Sequence, residues 1–349
     1  MILHVVPWAA RGGVEKNCFH FIKSMPGLQH RVVVLGGDGP MVSEWKGVNA
    51  KVDVLDIMKL KFLQFRSELA KRLPDEQLEK IIVWTNNRMV IVANALNKYR
   101  NATLLFHIGN PVPPGGVKDK IVSLLFPSSN RILIRAVSQY VLDGIQLNAY
   151  YRQFPAKVSL KPIEVTDHRT TLKSTDNICF GIVARLDRMK DHRTITSAIA
   201  LISKKLPNAT LEIAGEGPLM DDVRRWAKED GIDEKTTFHG DVADVPSLIS
   251  NWDIFLYATT PVEGLGGTVP EALAVGLPVV ATDLPMIREW DNTSKYIRWC
   301  KPADPESMAE VALSLVADVD HRRFVYENGP AYIRDNFSPK QFSIRYLAE

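Results

Sequence analysis

"DIFLYATTPVEGLGGTVPEALAVGLPVVAT" occupies positions 253–282 of the chain. An apolar run at 253–258 is followed by a glycine-rich loop, a short stretch with helical spacing at 269–275 and a second apolar run at 278–282. A buried strand, a helix and another buried strand in this order are typical of a parallel βαβ unit. The segment therefore predicts an α/β fold with a parallel sheet.

The same alternation extends outward from this segment. Further apolar runs that predict strands lie at 2–6, 30–36, 51–56, 80–85, 102–107, 178–185, 209–215 and 236–240. Stretches with helical spacing lie at 14–25, 60–73, 88–99, 191–206, 218–230, 244–251, 305–317, 320–329 and 338–347. We therefore expect two Rossmann-like, doubly wound α/β domains that face each other across a cleft, with ligands at the carboxyl ends of the strands.

A polar stretch with two prolines around 152–177 separates the two halves of the pattern. We predict an N-terminal domain at 1–160, a linker at 161–177 and a C-terminal domain at 178–330. The last segment, 331–349, is expected to be a helix that packs towards the N-terminal domain.

Composition places the chain among globular proteins. Its 349 residues are 46% apolar and 24% charged, and no apolar run approaches the length of about 20 residues that a membrane span needs. The N-terminal "MILHVVPW" lacks the basic start and the cleavage site of a signal peptide, and we interpret it as a first strand. Cys18, Cys179 and Cys300 are far apart, which predicts reduced thiols, no metal site and a cytoplasmic location.

Charge is distributed unevenly along the chain. The net charge is +3, but residues 1–170 hold 23 Lys and Arg against 13 Asp and Glu, a balance of +10, and the remainder has a balance of −7. A basic half joined to an acidic half suggests that the first half meets an anionic partner.

"MKLKFLQFRSELAKRL" at 58–73 mixes apolar and basic residues and allows two interpretations. It is either a helix packed on its sheet with a solvated basic rim, or a helix that makes a peripheral contact with an anionic membrane. Residues 115–135 would add to the second interpretation. Nucleic acid is not an expected partner, because we find no recognised binding motif and no basic stripe interleaved with aromatics.

The segment after the loop fits a helix start. Thr268-Val-Pro-Glu271 matches a capping box with Thr268 as the N-cap and Glu271 at N3, and Gly276 would end the helix. This interpretation accounts for both side chains without any ligand.

The capping box explains neither Glu263 nor the crowding of Gly264, Gly266 and Gly267 before a helix. Glycines there let backbone N–H groups approach an anion closely. The spacing alone leaves a phosphate site and an ordinary strand–loop–helix both open.

Arg185 ends the run at 178–185, and Lys190 stands just before the helix at 191–206. Two cations at a strand–helix junction suit a diphosphate, with Arg as a fork and Lys as a point charge. Either residue alone is more simply a solvated surface charge.

Three motifs resemble those of the retaining glycosyltransferases of family 4, which have the GT-B fold. These are "GIVARLDRMKD" (181–191), "LEIAGEGP" (211–218) and "EGLGGTVPEALAVGLPVVATDLP" (263–285), and "GGVE" (12–15) is similar to the family's first glycine-rich loop. The resemblance is dense over most of 178–290 and thin in the first half.

The resemblance implies catalytic roles for four side chains. Arg185 and Lys190 would bind the nucleotide diphosphate, Glu263 would hold hydroxyls of the donor sugar, and His107 would stand near that sugar. The implied donor-binding residues are Glu271, Gly264, Leu265, Gly266, Gly267, Thr268, Gly12, Gly13 and Gly215. From the residues alone, His107 is also explained as a strand-end histidine with a structural hydrogen bond.

The sequence departs from the family pattern at Leu265, where an aromatic is common, and at Gly267, where a larger apolar residue is usual. These departures leave the donor sugar open. The base of the donor is also open, because UDP, GDP and ADP sugars are distinguished mainly by backbone contacts near 215–217 and 239–243.

The implied reaction moves a sugar from a nucleotide-diphosphate sugar, such as a UDP sugar, to a hydroxyl of a glycan or lipid-linked acceptor bound by the first domain. The family uses a short-lived ion pair in which the departing phosphate serves as base. Such chemistry needs electrostatic stabilisation of the leaving group, and no cofactor or metal is expected. Polysaccharide or glycoconjugate synthesis at the cell envelope is the expected setting.

Three other functions remain open. A Rossmann oxidoreductase would need G-x-G-x-x-G after a strand, and "PWAARGGVE" has only a glycine pair. A GT-B relative that is a phosphorylase or epimerase is the second alternative. A non-catalytic nucleotide-sugar-binding subunit is the third.

Overall fold

The computed structural model describes residues 1–76, 78–85, 88–99, 102–171 and 177–348. The chain forms two units, each built on one parallel sheet. Unit 1 consists of Met1–Pro162 together with the chain from Pro339 onwards, and unit 2 consists of Ile163–Ser338.

Unit 1 has seven parallel strands in the order β3-β2-β1-β4-β5-β6-β7. They are β1 Ile2–Val6, β2 His30–Val34, β3 Ala50–Val54, β4 Lys80–Val83, β5 Thr103–Ile108, β6 Arg131–Ala136 and β7 Ala156–Val158. Unit 2 has six in the order β10-β9-β8-β11-β12-β13. They are β8 Cys179–Val183, β9 Thr210–Ala214, β10 Thr236–Gly240, β11 Ile254–Tyr257, β12 Val279–Thr282 and β13 Ile297–Cys300.

Helices connect these strands. Unit 1 contains α1 Gly13–Ser24, α2 Pro40–Gly47, α3 Phe62–Arg72, α4 Met89–Ala95, α5 Val117–Leu125 and α6 Gln139–Leu147. Unit 2 contains α7 His192–Ser203, α8 Met220–Glu229, α9 Val245–Ile249, α10 Val269–Ala274, α11 Pro285–Arg288, α12 Pro305–Ala317 and α13 Val319–Phe337. The last helix, α14 Pro339–Leu347, returns to unit 1.

In each sheet the strand order reverses beside the first strand, between β1 and β4 in unit 1 and between β8 and β11 in unit 2. Loops that leave the carboxyl ends of such neighbouring strands diverge and leave a crevice for ligands. The predicted fold class, two doubly wound parallel-sheet domains, is confirmed.

Local sequence signals explain why the helices form where they do. The Asp191 carboxylate caps α7 by accepting from the Thr194 backbone N–H (3.1 Å), and α7 buries Ile195, Ile199 and Ile202 along one stripe. This stripe packs into the hydrophobic core of unit 2. The strand–helix junction at Lys190 is therefore fixed by a cap and by burial.

A chain of hydrogen bonds crosses the core of unit 1. Trp84 Nε1–H donates to His4 Nδ1 (3.1 Å), so the proton of His4 lies on Nε2, which donates to His30 Nδ1 (3.0 Å). His30 Nε2–H in turn donates to the Met25 carbonyl (3.0 Å). Because each ring accepts a hydrogen bond at Nδ1, both histidines are neutral in this arrangement, and burial lowers the pKa of each.

Helix α14 closes the same core. Phe342 and Tyr346 are buried, and the Tyr346 ring stacks on Trp84 with centroids 5.3 Å apart. Arg135 lies beneath the helix end, where its Nε and Nη2 donate to the carbonyls of Tyr346 (2.9 Å) and Ala348 (2.5 Å). These bonds satisfy carbonyls that a helix terminus leaves unpaired.

Two predicted boundaries need correction. Helix α13 continues through Pro330 to Phe337 within unit 2, so the segment that joins unit 1 begins at Pro339 and not at 331. The expected linker at 161–177 is mostly part of unit 2, because Ile163 N–H donates to the Phe337 carbonyl (2.9 Å) and Thr170 is buried. Residues 172–176 of that linker lie outside the described residues.

The basic stretch at 58–73 forms α3, which buries Phe65 and Leu69 and whose Arg72 Nη1 donates to the Leu55 carbonyl (3.0 Å). It is thus a packed helix with a basic rim. No described helix is both long and apolar enough to span a bilayer. All three cysteines are free thiols.

Candidate functional site

The reversal point of unit 2 brings two loops together. The loop after β8 and the loop after β11 are joined by backbone bonds from Asp191 N to Ala258 O (3.1 Å) and from Thr260 N to Met189 O (3.1 Å). Lys190 and Thr259 also form an isolated antiparallel bridge. This backbone pairing fixes the position of Lys190 against the glutamate-bearing loop.

Lys190 and Glu263 form an ion pair through Nζ and Oε1. The ammonium of Lys190 also donates to the Tyr257 hydroxyl (2.5 Å), and that hydroxyl donates to Glu263 Oε2 (2.7 Å). The Thr259 hydroxyl lies within reach of both Glu263 Oε2 and the Met189 carbonyl and donates its single proton to one of them. The Glu263 carboxylate is therefore held in one orientation.

This cluster is almost completely shielded from solvent. The side chains of Lys190 and Glu263 are 11% and 8% exposed, which makes each charge dependent on the other. Burial, and next the Glu263 carboxylate, raise the pKa of Tyr257 well above its usual value, so its hydroxyl remains a donor. No role was predicted for Tyr257 or Thr259 from the sequence, and the only signal there was their hydroxyl groups at the carboxyl end of a buried strand.

Arg185 follows the end of β8 and differs from Lys190 in its surroundings. Its side chain is 78% exposed, and its Nη2 lies 3.4 Å from Asp187 Oδ2. The buried His192 fixes its backbone, since Nε2 lies 3.0 Å from the Arg185 carbonyl. Arg185 therefore combines a fixed main chain with an accessible guanidinium.

The glycine-rich loop has one position that only glycine fits. Gly266 has φ +68°, and a Cβ there would lie 2.4 Å from Ile287 Cδ1 and 3.1 Å from the Tyr257 ring. Leu265 is buried, and its carbonyl accepts from Trp290 Nε1 (2.7 Å). Gly264 is buried, and Gly267 is half-buried beside them.

The capping box predicted at Thr268 is wrong. Thr268 has helical backbone angles, φ −90° and ψ −16°, whereas an N-cap needs an extended backbone to aim its hydroxyl at N3. Its hydroxyl is buried without a hydrogen-bond partner among the described residues. Glu271 lies in the first turn of α10 and is half-buried, and Gly276 follows the helix end with φ +79°, as expected.

Gly215 directly follows β9 at the same edge of the sheet. Its φ is +131°, and a Cβ there would lie 2.0 Å from the Ala184 carbonyl oxygen. Its N–H donates to the Gly240 carbonyl (2.7 Å), so the ends of β8, β9 and β10 are drawn together here. The structure thus gathers Gly215 with Arg185 at one edge.

In unit 1, Gly12 and Gly13 connect β1 to α1. Gly12 has an extended backbone, and a Cβ there would lie 2.4 Å from Glu15 Oε2, while a Cβ on Gly13 would meet nothing within 4 Å. Glu15 is buried in the first turn of α1, and burial raises its pKa to about 7. Glu15 belongs to the "GGVE" motif, but no role was predicted for it from the sequence.

His107 lies in β5 of unit 1 and is 1% exposed. Its ring contacts Trp84, with centroids 5.2 Å apart, but neither ring nitrogen has a hydrogen-bond partner among the described residues. The structural hydrogen bond considered for this strand-end histidine is therefore not formed within the described chain. Burial lowers the pKa of His107 to about 4, so the ring is neutral at pH 7.

The described residues contain no group of three or more His, Cys, Asp or Glu side chains that would hold a metal ion.

Comparison with protein families matches residues 164–332 to the model named "Glycosyl transferases group 1". The GDP-mannose-dependent alpha-(1-6)-phosphatidylinositol monomannoside mannosyltransferase of Mycobacterium tuberculosis is 28% identical over 151 residues, which cover 41% of this chain and 37% of that protein. The putative glycosyltransferase EpsD of Bacillus subtilis is 33% identical over 108 residues, covering 31% and 28%. The match thus spans little more than a third of the length of the mycobacterial relative and less than a third of the length of EpsD.

Solved structures match over nearly the whole chain. The crystal structure of Anabaena HepE in complex with UDP and glucose superposes with a TM-score of 0.82 at 18% identity, covering 99% of this chain and 97% of that one. WaaG, a glycosyltransferase involved in lipopolysaccharide biosynthesis, gives 0.71 at 13% identity and covers both chains fully. At these identities the likeness shows the fold. The resemblance seen in the sequence is confirmed: the chain contains a Glycosyl transferases group 1 domain at residues 164–332 and has the GT-B fold, consistent with family 4.

Proposed function

We propose that the protein is a retaining glycosyltransferase that moves a hexose from a nucleotide-diphosphate sugar to a hydroxyl of a glycan or lipid-linked acceptor. One observation carries the proposal. The Lys190–Glu263 pair stands at the strand-order reversal of a group 1 domain, with the exposed Arg185 guanidinium at the end of the neighbouring strand.

The chemistry needs positive charge where the leaving diphosphate develops negative charge. In the proposal, Arg185 provides a two-pronged contact to the diphosphate, and its exposure leaves the guanidinium accessible to a ligand. Lys190 supplies a second cation whose position is set by the backbone bridge to Thr259. The departing phosphate acts as base towards the acceptor hydroxyl, and no metal takes part.

Glu263 is proposed to bind hydroxyls of the donor sugar. A carboxylate offers about four acceptor positions, and Lys190, Tyr257 and Thr259 occupy at most three of them. An accepting position thus remains on a carboxylate whose direction is already set, which lowers the entropic cost of binding. Glu271 is proposed to bind the ribose, and the backbone of 265–267 to approach the phosphates.

The relatives suggest which donors to test first. The mycobacterial relative is named for GDP-mannose, and HepE was crystallised with UDP and glucose. We propose a cytoplasmic reaction in the synthesis of an envelope polysaccharide or glycoconjugate. Acceptor binding is assigned to unit 1, where any contact from His107 would be made by the neutral imidazole.

The test is a thermal-shift panel without added metal, with UDP, GDP, ADP, their common sugars and NAD. One nucleoside diphosphate and its sugar should raise the melting temperature of the protein. Arg185→Ala should weaken the binding of that ligand by about tenfold or more. Arg323→Ala, which removes an exposed arginine on α13, is the matched control and should bind as the wild type does. Lys190→Ala is unsuitable because it would leave Glu263 buried and unpaired.

A shift with NAD alone would contradict the proposal, as would equal binding by Arg185→Ala and the wild type. Once the donor and the acceptor are identified, NMR should show that the product retains the anomeric configuration of the donor. In a separate assay, transferase activity should be unchanged by EDTA. Nucleotide binding without transfer to any acceptor would instead favour the non-catalytic subunit.

A further inference from the structure

The imidazole of His107 is held in unit 1 by neighbouring aromatic rings. Its centroid lies 5.2 Å from that of Trp84 and 6.1 Å from that of Tyr346. Neither ring nitrogen of His107 has a hydrogen-bond partner among the described residues. A histidine in a functional site is commonly oriented by a hydrogen bond to the nitrogen that does not meet the ligand. Within the described chain, packing between rings takes the place of that bond.

Tyr346 belongs to α14 and is fully buried. Its ring also stacks on Trp84, with centroids 5.3 Å apart, so Trp84, His107 and Tyr346 contact one another in all three pairs. The imidazole is inclined by 26° to the Tyr346 ring and by 49° to the Trp84 ring. Stacked and tilted pairs at these distances are favourable arrangements of aromatic side chains. The plane of the imidazole therefore follows Tyr346 more closely than Trp84.

Arg135 ties the backbone of Tyr346 to the sheet that carries His107. It is the register neighbour of His107 on β6. Its Nε donates to the Tyr346 carbonyl (2.9 Å) and its Nη2 to the Ala348 carbonyl (2.5 Å). Arg135 is 2% exposed, so water competes little for these bonds. The residue beside His107 in the sheet thus holds the residue that packs on the His107 ring.

The Nε2 atom of His107 lies towards the loop that follows β5. A Cβ at Gly109 would lie 3.9 Å from His107 Nε2 and 4.0 Å from Val14 Cγ2, in the first turn of α1. The carboxyl ends of β5 and β1 meet here, at the edge where doubly wound sheets bind ligands. The last side-chain torsion of histidine is broad, and half a turn about it exchanges Nε2 with a carbon atom. The direction of Nε2 therefore depends on what packs against the ring.

We propose that Tyr346 is a positioning residue for His107, whose ring it holds so that Nε2 keeps facing the loop after β5. This inference rests on the proposed function, in which His107 contacts a substrate. Tyr346 acts through the imidazole, by restricting its rotation. A displacement of about 1 Å in a site can cost about a hundredfold in rate, so a buried ring with no chemistry of its own can control turnover.

The role belongs to the ring of Tyr346 and not to its hydroxyl group. The hydroxyl is buried without a hydrogen-bond partner among the described residues, so Tyr346→Phe keeps the contact that matters. Phe342 provides a matched control on the same helix. It is 2% exposed, and its ring contacts Phe21 and Tyr346.

The first experiment is steady-state kinetics of the full chain with the donor and acceptor that support transfer. Tyr346→Leu should lower kcat at least about tenfold and leave the KM of the donor within about twofold, because the imidazole is then free to turn. Tyr346→Phe should keep the kcat of the wild type. Phe342→Leu also removes a buried ring from α14 and should keep kcat within about threefold.

Circular dichroism should show each variant folded. If Tyr346→Leu does not fold, Tyr346→Met takes its place with the same expected kinetics, since the longer, flexible side chain adapts better to the vacated space.

A double-mutant cycle separates positioning from a general loss of stability. If Tyr346 acts through His107, Tyr346→Leu should lower kcat by less than about twofold in a His107→Ala background. A loss that multiplies with the loss from His107→Ala would mean that Tyr346 acts on another part of the protein, and it would overturn the proposal.

The orientation of the imidazole can also be observed without a substrate. A crystal structure of Tyr346→Leu should show the His107 ring turned or in more than one orientation. The structures of Tyr346→Phe and Phe342→Leu should show it as in the wild type. An unmoved imidazole in Tyr346→Leu would overturn the proposal, as would equal loss of kcat in Tyr346→Leu and Phe342→Leu.

Failure of the proposed function gives a different result. The wild type would then transfer no sugar to any acceptor, while the crystal structures would still decide whether Tyr346 orients His107. If the wild type is active and His107→Ala is equally active, the transferase function stands and the positioning role of Tyr346 is refuted.

Discussion

The buried polar groups among the predicted site residues are satisfied in different ways in the two units. In unit 2, Glu263 is paired with Lys190 and accepts from Tyr257, so a carboxylate and an ammonium stay charged although both are nearly buried. In unit 1, His107 has no hydrogen-bond partner among the described residues, and burial lowers its pKa to about 4. Glu15 is likewise buried, with its pKa raised to about 7.

The difference shows two outcomes of the same desolvation. A buried ionisable group keeps its charge only when a partner repays the lost hydration, and otherwise it becomes neutral. Unit 2 therefore offers a fixed electrostatic site, and unit 1 offers groups that are neutral or close to neutrality at pH 7. This division suits the proposed reaction, in which charge develops on the nucleotide held by unit 2.

The largest expected effect comes from breaking the ion pair. Glu263→Ala leaves the Lys190 ammonium buried without its carboxylate and should destabilise the protein by about 3–5 kcal/mol. The double change Lys190→Met with Glu263→Gln removes both charges and should recover most of that loss. Urea unfolding followed by tryptophan fluorescence measures the free energy of unfolding of both variants. Glu306→Ala, at an exposed position, is the control. If the changes at Lys190 and Glu263 altered the free energy of unfolding additively, the two residues would not be a coupled pair.

A glycine in each unit gives the next test. Gly266→Ala forces a side chain into φ +68° and against Ile287, and should cost about 3 kcal/mol from strain and overpacking together. Gly13→Ala places its methyl group in open space and should change stability by less than about 0.5 kcal/mol. The same unfolding assay compares them.

Activity sharpens the glycine comparison. If Gly13 lets the loop approach a ligand, Gly13→Ala should lower turnover while leaving stability unchanged. A stable, fully active Gly13→Ala variant would remove Gly13 from the proposed site.

The last expected effect, smaller than that of Gly266→Ala, is the pH dependence of His107. The pKa of His107 is about 4 in the folded protein, below the ordinary value of 6.5. At a pH between these two values, the unfolded chain therefore binds a proton at this residue and the folded chain does not. Stability is thus full above pH 6.5 and falls as the pH drops towards 4, and this residue alone contributes a loss of about 2 kcal/mol between pH 7 and pH 5.

The measurement compares urea midpoints at pH 7 and pH 5. His107→Phe should show a shallower fall than the wild type, while His168→Asn, at an exposed histidine of unit 2, should follow the wild type. An unchanged slope in His107→Phe would mean that the ring is hydrated or paired in solution.

Strand and helix positions were predictable where the signal was periodic. The apolar runs at 2–6, 209–215 and 278–282 became strands within a residue or two. Strands β6, β7 and β13 and helices α2, α5, α6 and α11 were not predicted, and most of them are short. The helices predicted at 320–329 and 331–349 divided differently, because α13 tolerates Pro330 in its interior.

The basic, apolar stretches show a limit of sequence patterns. The segments at 58–73 and 117–125 both mix apolar and basic residues, yet α3 buries Phe65 and Leu69 whereas α5 buries none of its residues. Which stripe meets the sheet depends on where each helix lies, and the composition of the segment does not encode that.

By itself the sequence determined the two parallel α/β halves and the family of the second, because strand–helix alternation and the E-x7-E loop are local patterns that survive in one dimension. It also determined where the glycines and cations stand. Only the tertiary structure decided that Lys190 pairs with Glu263, since 73 positions separate them and strand order alone makes their loops neighbours. It likewise decided that Thr268 does not cap its helix and that His107 is buried with no hydrogen-bond partner among the described residues, because backbone angles and burial belong to the assembled fold.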